Sequence, residues 1–358
     1  MLKRILPIVM ACLIVFMVLP NAFASENTSG LTLNEAIKMA LERNRDLKIQ
    51  ELNVDKASEQ LEDLEDTIKY IPDGTYIPGV SSVYGNYLLT QANERVAEKT
   101  YENMKQQIAV DVKNQYYDVL KNIKQVEVAE KALKVAETHA RQARAKYDLG
   151  MLTKADLYNF ETQELNAKTS LTTAKNNLET SKTKLAMLIG TSNEISNLID
   201  DVVFEKSNFS TLENVVNKAL SQRYEIWAAE HVASVTKRVQ EYMDNYKVSQ
   251  IDSKIKDLGA GKTKDQIEQQ VETLYLSVEQ MENTYETLNR KVTMLEEKLR
   301  ITVAQNKVGM ATNLQLQETE QAYQSALAEL KQTVYLHDVA KSQLFVLTGG
   351  NILSQMLS

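Results

Sequence analysis

The chain has 358 residues, a net charge of −7, 11 glycines and 4 prolines. An acidic balance of this kind disfavours nucleic-acid binding, which needs a basic face. Aromatic residues make up 6% of the chain and no proline follows residue 78. Because proline ends helices and glycine weakens them, this composition favours very long helices.

The first 24 residues are predicted to be a signal peptide. Lys3 and Arg4 precede an apolar run, and Ala22-Phe23-Ala24 forms a small-residue cleavage site. The alternative is a lipoprotein anchor on Cys12, the single cysteine of the chain. Cleavage after Ala24 would leave an exported chain without disulfides. The rest divides into a first helical repeat over residues 25–200 and a second over residues 201–358.

The chain contains an internal duplication. Residues 146–190 align without a gap to residues 305–349, so that Gly150 pairs with Gly309 and Gly190 with Gly349. Further upstream, residues 31–44 match residues 210–223 at a larger offset, so the first copy is the longer one. A repeated long helical unit indicates an architecture built from two similar halves.

Apolar residues recur with a heptad spacing, which predicts helices that pack along a coiled-coil seam. In the first copy this row is Val112, Val119, Val126, Leu133 and Ala140. The predicted fold class is all-α, with duplicated long antiparallel hairpins and helices at residues 33–66, 92–147, 154–189, 211–256, 264–306 and 313–348.

The predicted turns follow from glycine and threonine positions. Gly150 and Gly309 are expected at positive φ between long helices, with Thr153 and Thr312 capping the returning helices. The segment Gly259–Thr263 resembles the end of a phosphate-binding loop, but Lys256 stands where that motif needs its first glycine. We therefore predict a turn between two helices there.

No constellation of residues indicates catalysis. His139, His231 and His337 are widely dispersed, and no His-Glu-x-x-His motif occurs. The sequence predicts no catalytic residue, no cofactor, no metal site and no enzymatic activity. His337 falls on the second heptad seam, where its protonation could alter packing.

Three features together resemble a known family. They are the segment LTLNEAIKMALERNRDLK, the segment KYDLGMLTKADLYNFETQELNAKTSL with its ending LAMLIG, and the duplication of the whole set. This combination is similar to the TolC-like outer-membrane efflux protein family over nearly all of residues 31–350. The resemblance implies a homotrimer whose long helices form a hollow α-barrel. It also implies an export duct that a membrane-fusion adaptor joins to an inner-membrane pump.

The resemblance also implies two sets of site residues. The helix-turn tips that contact the adaptor correspond here to Leu149, Gly150, Met151, Leu152, Thr153, Val308, Gly309, Met310, Ala311 and Thr312. A tunnel constriction corresponds to Asp156, Gln315 and Glu318, of which Gln315 is not acidic. The tips could equally be plain hairpin turns. Glu161 and Glu320, at matched positions, could line the tunnel or lie on a solvated face.

One departure from the family concerns its membrane strands. Family members insert two β-strands per copy, which form a transmembrane β-barrel, but residues 69–89 and 239–263 lack two spanning patterns. We therefore expect these strands to be missing or vestigial, and no direct membrane insertion. The predicted location is the cell envelope: the outer membrane by resemblance, or an extracytoplasmic surface if the barrel is absent. The alternative to an efflux conduit is a non-conducting coiled-coil scaffold or spacer.

Overall fold

The computed structural model describes residues 30–69, 80–192, 195, 197–242 and 245–356. The predicted signal peptide and Cys12 lie outside these residues. The described helices are α1 (Leu33–Arg43), α2 (Arg45–Lys69), α3 (Val80–Asp148), α4 (Lys154–Leu188), α5 (Leu212–Gln222), α6 (Tyr224–Val239), α7 (Tyr246–Lys307), α8 (Asn313–Leu347) and α9 (Ile352–Met356), with a 3₁₀ turn at Gln240–Tyr242.

The all-α fold predicted from the sequence is confirmed. The described chain contains no β-strand; one isolated parallel bridge joins Leu31 to Leu198. Helix α3 has 69 residues and α7 has 62, which at 1.5 Å per residue gives rods roughly 100 and 90 Å long. No helix in the described chain combines the length and apolar character that a bilayer crossing needs.

Two long hairpins lie side by side. Helix α3 packs against α4, α7 packs against α8, and α3 joins the two hairpins by packing against α8. Contacts between α3 and α8 run antiparallel, from Lys113 with Ser342 to Thr138 with Gln317. Both hairpin turns, after α3 and before α8, therefore lie at the same end of the rod.

Helices pack differently in the other half of the rod. There α2 packs on α3, and α6 lies between α3 and α7. The order across the layer is α4, α3, α8, α7 near the turns and α2, α3, α6, α7 in the distal half. Helix α7 forms one edge of this helix layer along its whole length. The opposite edge is formed by α4 near the turns and by α2 in the distal half.

The short helices α1 and α5 cover the middle of the rod in the same way. Ala36, Ile37 and Ala40 of α1 are fully buried, and their sequence equivalents Val215, Val216 and Ala219 of α5 are buried as well. Tyr116 Oη donates to the carbonyl of Leu31 at 2.7 Å and accepts from the amide of Ile199 at 2.9 Å. This buried hydroxyl ties the segments before α1 and after α4 together, and burial raises the pKa of Tyr116 to about 12.

Helix boundaries correct the prediction at two places in α1–α3. The expected helix at 33–66 is broken at Asn44, whose side chain accepts from the amides of Asp46 and Leu47 at 2.9 and 3.0 Å. This local capping ends α1 and starts α2. Helix α3 begins at Val80 rather than near residue 92, because Leu88, Leu89 and Ala92 pack against Val235 and Val239 of α6.

The predicted turn at Gly259–Thr263 is wrong. These residues lie inside α7, which runs without interruption from Tyr246 to Lys307. Ser253, Ala260 and Ile267 are all buried at heptad spacing, so packing continues through the glycines and outweighs their low helix propensity. Helix α7 packs against α6 and begins after Asn245, whose side chain caps it by accepting from the amide of Val248 at 3.2 Å.

Candidate functional site

Each hairpin turn is a helix C-cap built on a glycine. Gly150 and Gly309 have φ of 69° and 75°, which confirms the predicted left-handed conformation. The Gly150 amide donates to Tyr147 O and the Met151 amide to Lys146 O, both at 2.8 Å. The Gly309 and Met310 amides repeat this pair of bonds at 3.1 and 2.8 Å. Both turns are therefore Schellman motifs, which fix the direction in which the chain leaves the helix.

The returning helices begin with threonine caps, as predicted. Thr153 Oγ1 accepts from the amide of Asp156 at 3.1 Å, and Thr312 Oγ1 accepts from the amide of Gln315 at 3.1 Å. Gln315 also accepts from the Thr312 amide at 2.8 Å, which completes a capping box. With a glycine cap on one side and a threonine cap on the other, each turn is held at both ends.

The two turns carry exposed apolar side chains. Leu149 and Met151 are 75% and 71% exposed, and Val308 and Met310 are 69% and 78% exposed. A Cβ added at either turn glycine would meet nothing within 4 Å. Apolar side chains grouped on a rigid exposed turn are typical of contact surfaces, and methionine adapts readily to a partner.

The second tip has additional side-chain hydrogen bonds across its turn, which were not predicted from the sequence. Asn306 Nδ2 donates to Ala311 O at 3.0 Å and to Asn313 Oδ1 at 3.1 Å, across the turn. The equivalent position in the first tip is Tyr147, which is partly exposed. The two tips therefore share a backbone but differ in side-chain support.

The three residues assigned to a constriction lie at the starts of α4 and α8. Asp156 and Gln315 occupy equivalent positions, and both take part in capping: Thr153 Oγ1 donates to Asp156 Oδ2 at 2.6 Å. Glu318 lies one turn further on, with its carboxylate 3.1 Å from His139 Nε2 of α3. The structure therefore gives each of them a local partner, and their role in a constriction stays a prediction.

Glu161 and Glu320 also have ion-pair partners. Glu161 accepts from Arg144 within the first hairpin at 3.1 Å, whereas Glu320 accepts from Lys131 between the two hairpins at 3.1 Å. Pairs as exposed as these contribute little stability. The carboxylate of Glu320 thus belongs to the contact between hairpins rather than to an unpaired helix face.

His337 lies in a buried cluster that joins α7, α8 and the segment before α5. Its ring is 1% exposed, and its Nε2 is 3.3 Å from Glu282 Oε1. Phe204 stacks on Tyr285 and lies 4.8 Å from the His337 ring, centroid to centroid. Burial lowers the pKa of His337, although the hydrogen bond that its imidazole donates to the Glu282 carboxylate opposes this shift. The predicted seam position is confirmed.

A buried polar cluster between the hairpins was not predicted. Lys113 of α3 is 5% exposed and places Nζ 2.7 Å from Asp338 Oδ2 and 2.8 Å from Ser342 Oγ. Tyr117 Oη donates to the same carboxylate oxygen at 2.7 Å. Burial lowers the pKa of Lys113, and the charge of Asp338 opposes that change. No group of three or more metal-binding side chains occurs in the described residues.

Comparison with known proteins identifies the class of this fold. Residues 81–191 match the family model described as "Outer membrane efflux protein"; this stretch holds nearly all of α3, the first tip and α4. No curated protein gives a significant match to the chain.

Several solved outer membrane channels have the same fold. The CmeC channel of Campylobacter jejuni superposes with a TM-score of 0.70 at 12% identity, covering 89% of this chain and 85% of CmeC. The MtrE channel of Neisseria gonorrhoeae gives 0.66 at 15% identity, with 89% of each chain covered. The outer membrane protein VceC of Vibrio cholerae gives 0.66 at 14% identity, with 89% and 96% covered.

The resemblance to the TolC-like outer-membrane efflux protein family is therefore confirmed. The first repeat carries a domain of that family, and the described chain has the TolC-like helical fold. The sequence likeness is to outer membrane efflux proteins and lies in the first repeat, and the likeness in fold is to outer membrane channels.

Proposed function

We propose that this protein is a homotrimeric export conduit of the cell envelope, which docks through its two tips onto a membrane-fusion adaptor joined to an inner-membrane pump. The observation that carries this proposal is the pair of equivalent rigid tips at one end of the rod, each with exposed apolar side chains. In this assembly Asp156, Gln315 and Glu318 lie around the tunnel at its adaptor end and form the constriction. Three chains would present six tips.

The unpartnered edges of the monomer support a closed ring. Large exposed apolar side chains concentrate on the edge helices α4 and α7; they are Tyr158, Leu165, Met187, Tyr246, Val248, Ile251, Ile255, Leu258, Leu276, Met294 and Ile301. In α7, the four residues from Val248 to Leu258 follow a 3–4–3 spacing, which is the pattern of a helix-packing seam. Copies that join edge to edge would cover both rows.

Charge complementarity supports the same arrangement in the distal half. Residues 51–66 of α2 contain seven carboxylates and one lysine, whereas residues 246–264 of α7 contain five lysines and two aspartates. These segments lie at the same level, because Tyr87 of α3 contacts Glu65 at 3.2 Å and Tyr84 packs against Tyr242. The acidic edge of one copy thus fits the basic edge of the next.

The assembly is tested by sedimentation of the mature chain, residues 25–358. We expect a trimer at tens of micromolar, and Ile255→Glu with Leu258→Glu should shift it to monomer with helicity unchanged. Val203→Glu is the matched control, since Val203 is 76% exposed in the segment between α4 and α5 and belongs to neither edge helix. A wild-type monomer at this concentration would overturn the closed tube.

The tips are tested by adaptor binding and export. The double variant Met151→Glu, Met310→Glu should keep its helicity and trimer mass while losing co-purification with the adaptor and export. Val203→Glu should retain both activities. Normal adaptor binding and export by the double variant would make the tips plain turns and favour the scaffold function.

A further inference from the structure

A cavity of about 730 Å³ lies beside the middle of the rod, away from the tips. It is bounded by the C-terminal part of α8, the segment 205–210, α5 and the short helix α9. Its volume falls within the range of small-molecule sites, roughly 300–1,000 Å³. The conduit proposal gives this cavity no role.

The cavity wall carries an excess of positive charge. Lys113, Lys206, Lys218 and Lys341 line it, against the carboxylates of Glu205 and Asp338. Asp338 is already engaged, because it accepts from both Lys113 and Tyr117. Lys206 lies 3.9 Å from Glu282 and Lys341 lies 3.8 Å from Glu205, whereas Lys218 makes no ion pair within the described chain. A net charge of about +2 in a partly enclosed space favours an anionic group.

The same cavity has an apolar part. Phe209, Val215, Phe345 and Met356 line it together with the lysines. Val215 is 4% exposed and belongs to the buried cluster under α5, so this surface is part of the packed rod. A ligand that matches both parts needs one anionic head and one compact apolar body.

We propose that this cavity binds a small anionic amphiphile, a carboxylate on a short aliphatic body, with the lysines around the carboxylate and the aliphatic body against Phe209, Val215 and Phe345. Lys218 is the principal head-group contact, since its ammonium has no competing carboxylate. Lys113, at the cavity wall, is held by Asp338 and Ser342 and adds positive potential. The site goes beyond the export function and does not depend on it.

The proposal is tested by calorimetric titration of the mature chain with octanoate. One octanoate should bind per chain. Acetate lacks the apolar body, octanol lacks the charge, and octyltrimethylammonium has the opposite charge. Each of the three should therefore bind at least about tenfold more weakly than octanoate. Lys218→Gln should weaken octanoate binding about tenfold, and Lys218→Glu further. The control is Lys184→Gln, an exposed α4 lysine outside the cavity.

Three outcomes would overturn the proposal. Octanol binding as tightly as octanoate would make the cavity a plain apolar pocket. Acetate binding as tightly would make it an anion site without an apolar requirement. Equal weakening by Lys184→Gln and Lys218→Gln would show that octanoate binds through general surface charge. Since binding is measured on the chain alone, loss of export in the tip variant would leave this result unaffected.

Discussion

Gly190 lies directly against Arg43, so closely that a Cβ on the glycine would come within 2.7 Å of the arginine Cβ. Gly349 stands in the same relation to Gln222, where the distance would be 2.8 Å. Arg43 and Gln222 are the last residue of α1 and of α5. In both halves of the chain, therefore, the end of a short helix docks onto the glycine that ends a long one.

This docking predicts that the four positive-φ glycines of the described chain differ in their tolerance of alanine. At Gly190 and Gly349 an alanine meets both the backbone penalty and a close contact with the neighbouring helix, so we expect a loss of about 2 kcal/mol or more in the free energy of unfolding. At Gly150 and Gly309, where a Cβ meets nothing within 4 Å, the loss should be about 1 kcal/mol. Urea unfolding of the four single variants measures the difference, and equal losses at all four positions would contradict it.

Much of this architecture follows from the sequence because it depends on local rules. The glycine turns, the threonine caps and the heptad rows each act within a few residues, so Gly150, Thr153 and Val112 are placed correctly from spacing alone. Helices α4 and α8, both of 35 residues, begin and end within one residue of the prediction.

The features that the sequence could not supply depend on distant partners. Lys113 is buried because Asp338 and Ser342 lie on another helix more than 200 residues away, and nothing next to Lys113 in the chain reports this. The cavity that Lys113 lines combines five chain segments for the same reason. The error at Gly259 also arose from local propensity, which the packing of α7 overrides.

The second tip should be more rigid than the first because of Asn306. We expect Asn306→Ala to lower the unfolding free energy by about 1 kcal/mol, since two hydrogen bonds across the turn are lost. Hydrogen exchange should speed up at the amides of Met310 and Ala311. The equivalent change Tyr147→Ala is the control, and it should leave the amide exchange of Met151 nearly unchanged. If the two variants accelerated amide exchange in their own tips to a similar extent, the stabilising role of the Asn306 hydrogen bonds would be refuted.

Stability should fall on acidification through the buried pair His337–Glu282. Burial lowers the pKa of His337 below its ordinary 6.5. For Glu282, burial raises the pKa, but hydrogen bonds from Ser207 and His337 lower it below 4.5 overall. Both groups bind protons more readily in the unfolded chain, so their contribution is complete above about pH 6.5 and is lost as the pH falls. Lys341 and Lys206 near the pair add further repulsion to a charged imidazole.

Replacement of the imidazole tests this pH dependence. His337→Gln should flatten the decline of the melting temperature between about pH 6.5 and 5, at the cost of lower stability at pH 7.5. His139→Gln, at the exposed pair with Glu318, is the control and should leave the wild-type pH profile intact. A His337→Gln profile parallel to that of the wild type would rule out this cluster as the source.

Because α7 runs without interruption, replacing its glycines by alanine should change the stability in the opposite direction to the same replacement at the turn glycines. Gly259 and Gly261 are helical, lack positive φ, and have open space where a Cβ would lie. Alanine at either position should therefore stabilise the protein by about 0.5–1 kcal/mol, because it restricts the unfolded chain and costs no contact in the folded one. Urea unfolding and far-ultraviolet circular dichroism of Gly259→Ala and Gly261→Ala check this, with Gly150→Ala as the destabilising reference. If these residues instead formed a turn, as the sequence suggested, both alanine variants would lose stability, and the distal half of α7 would have to be two helices rather than one.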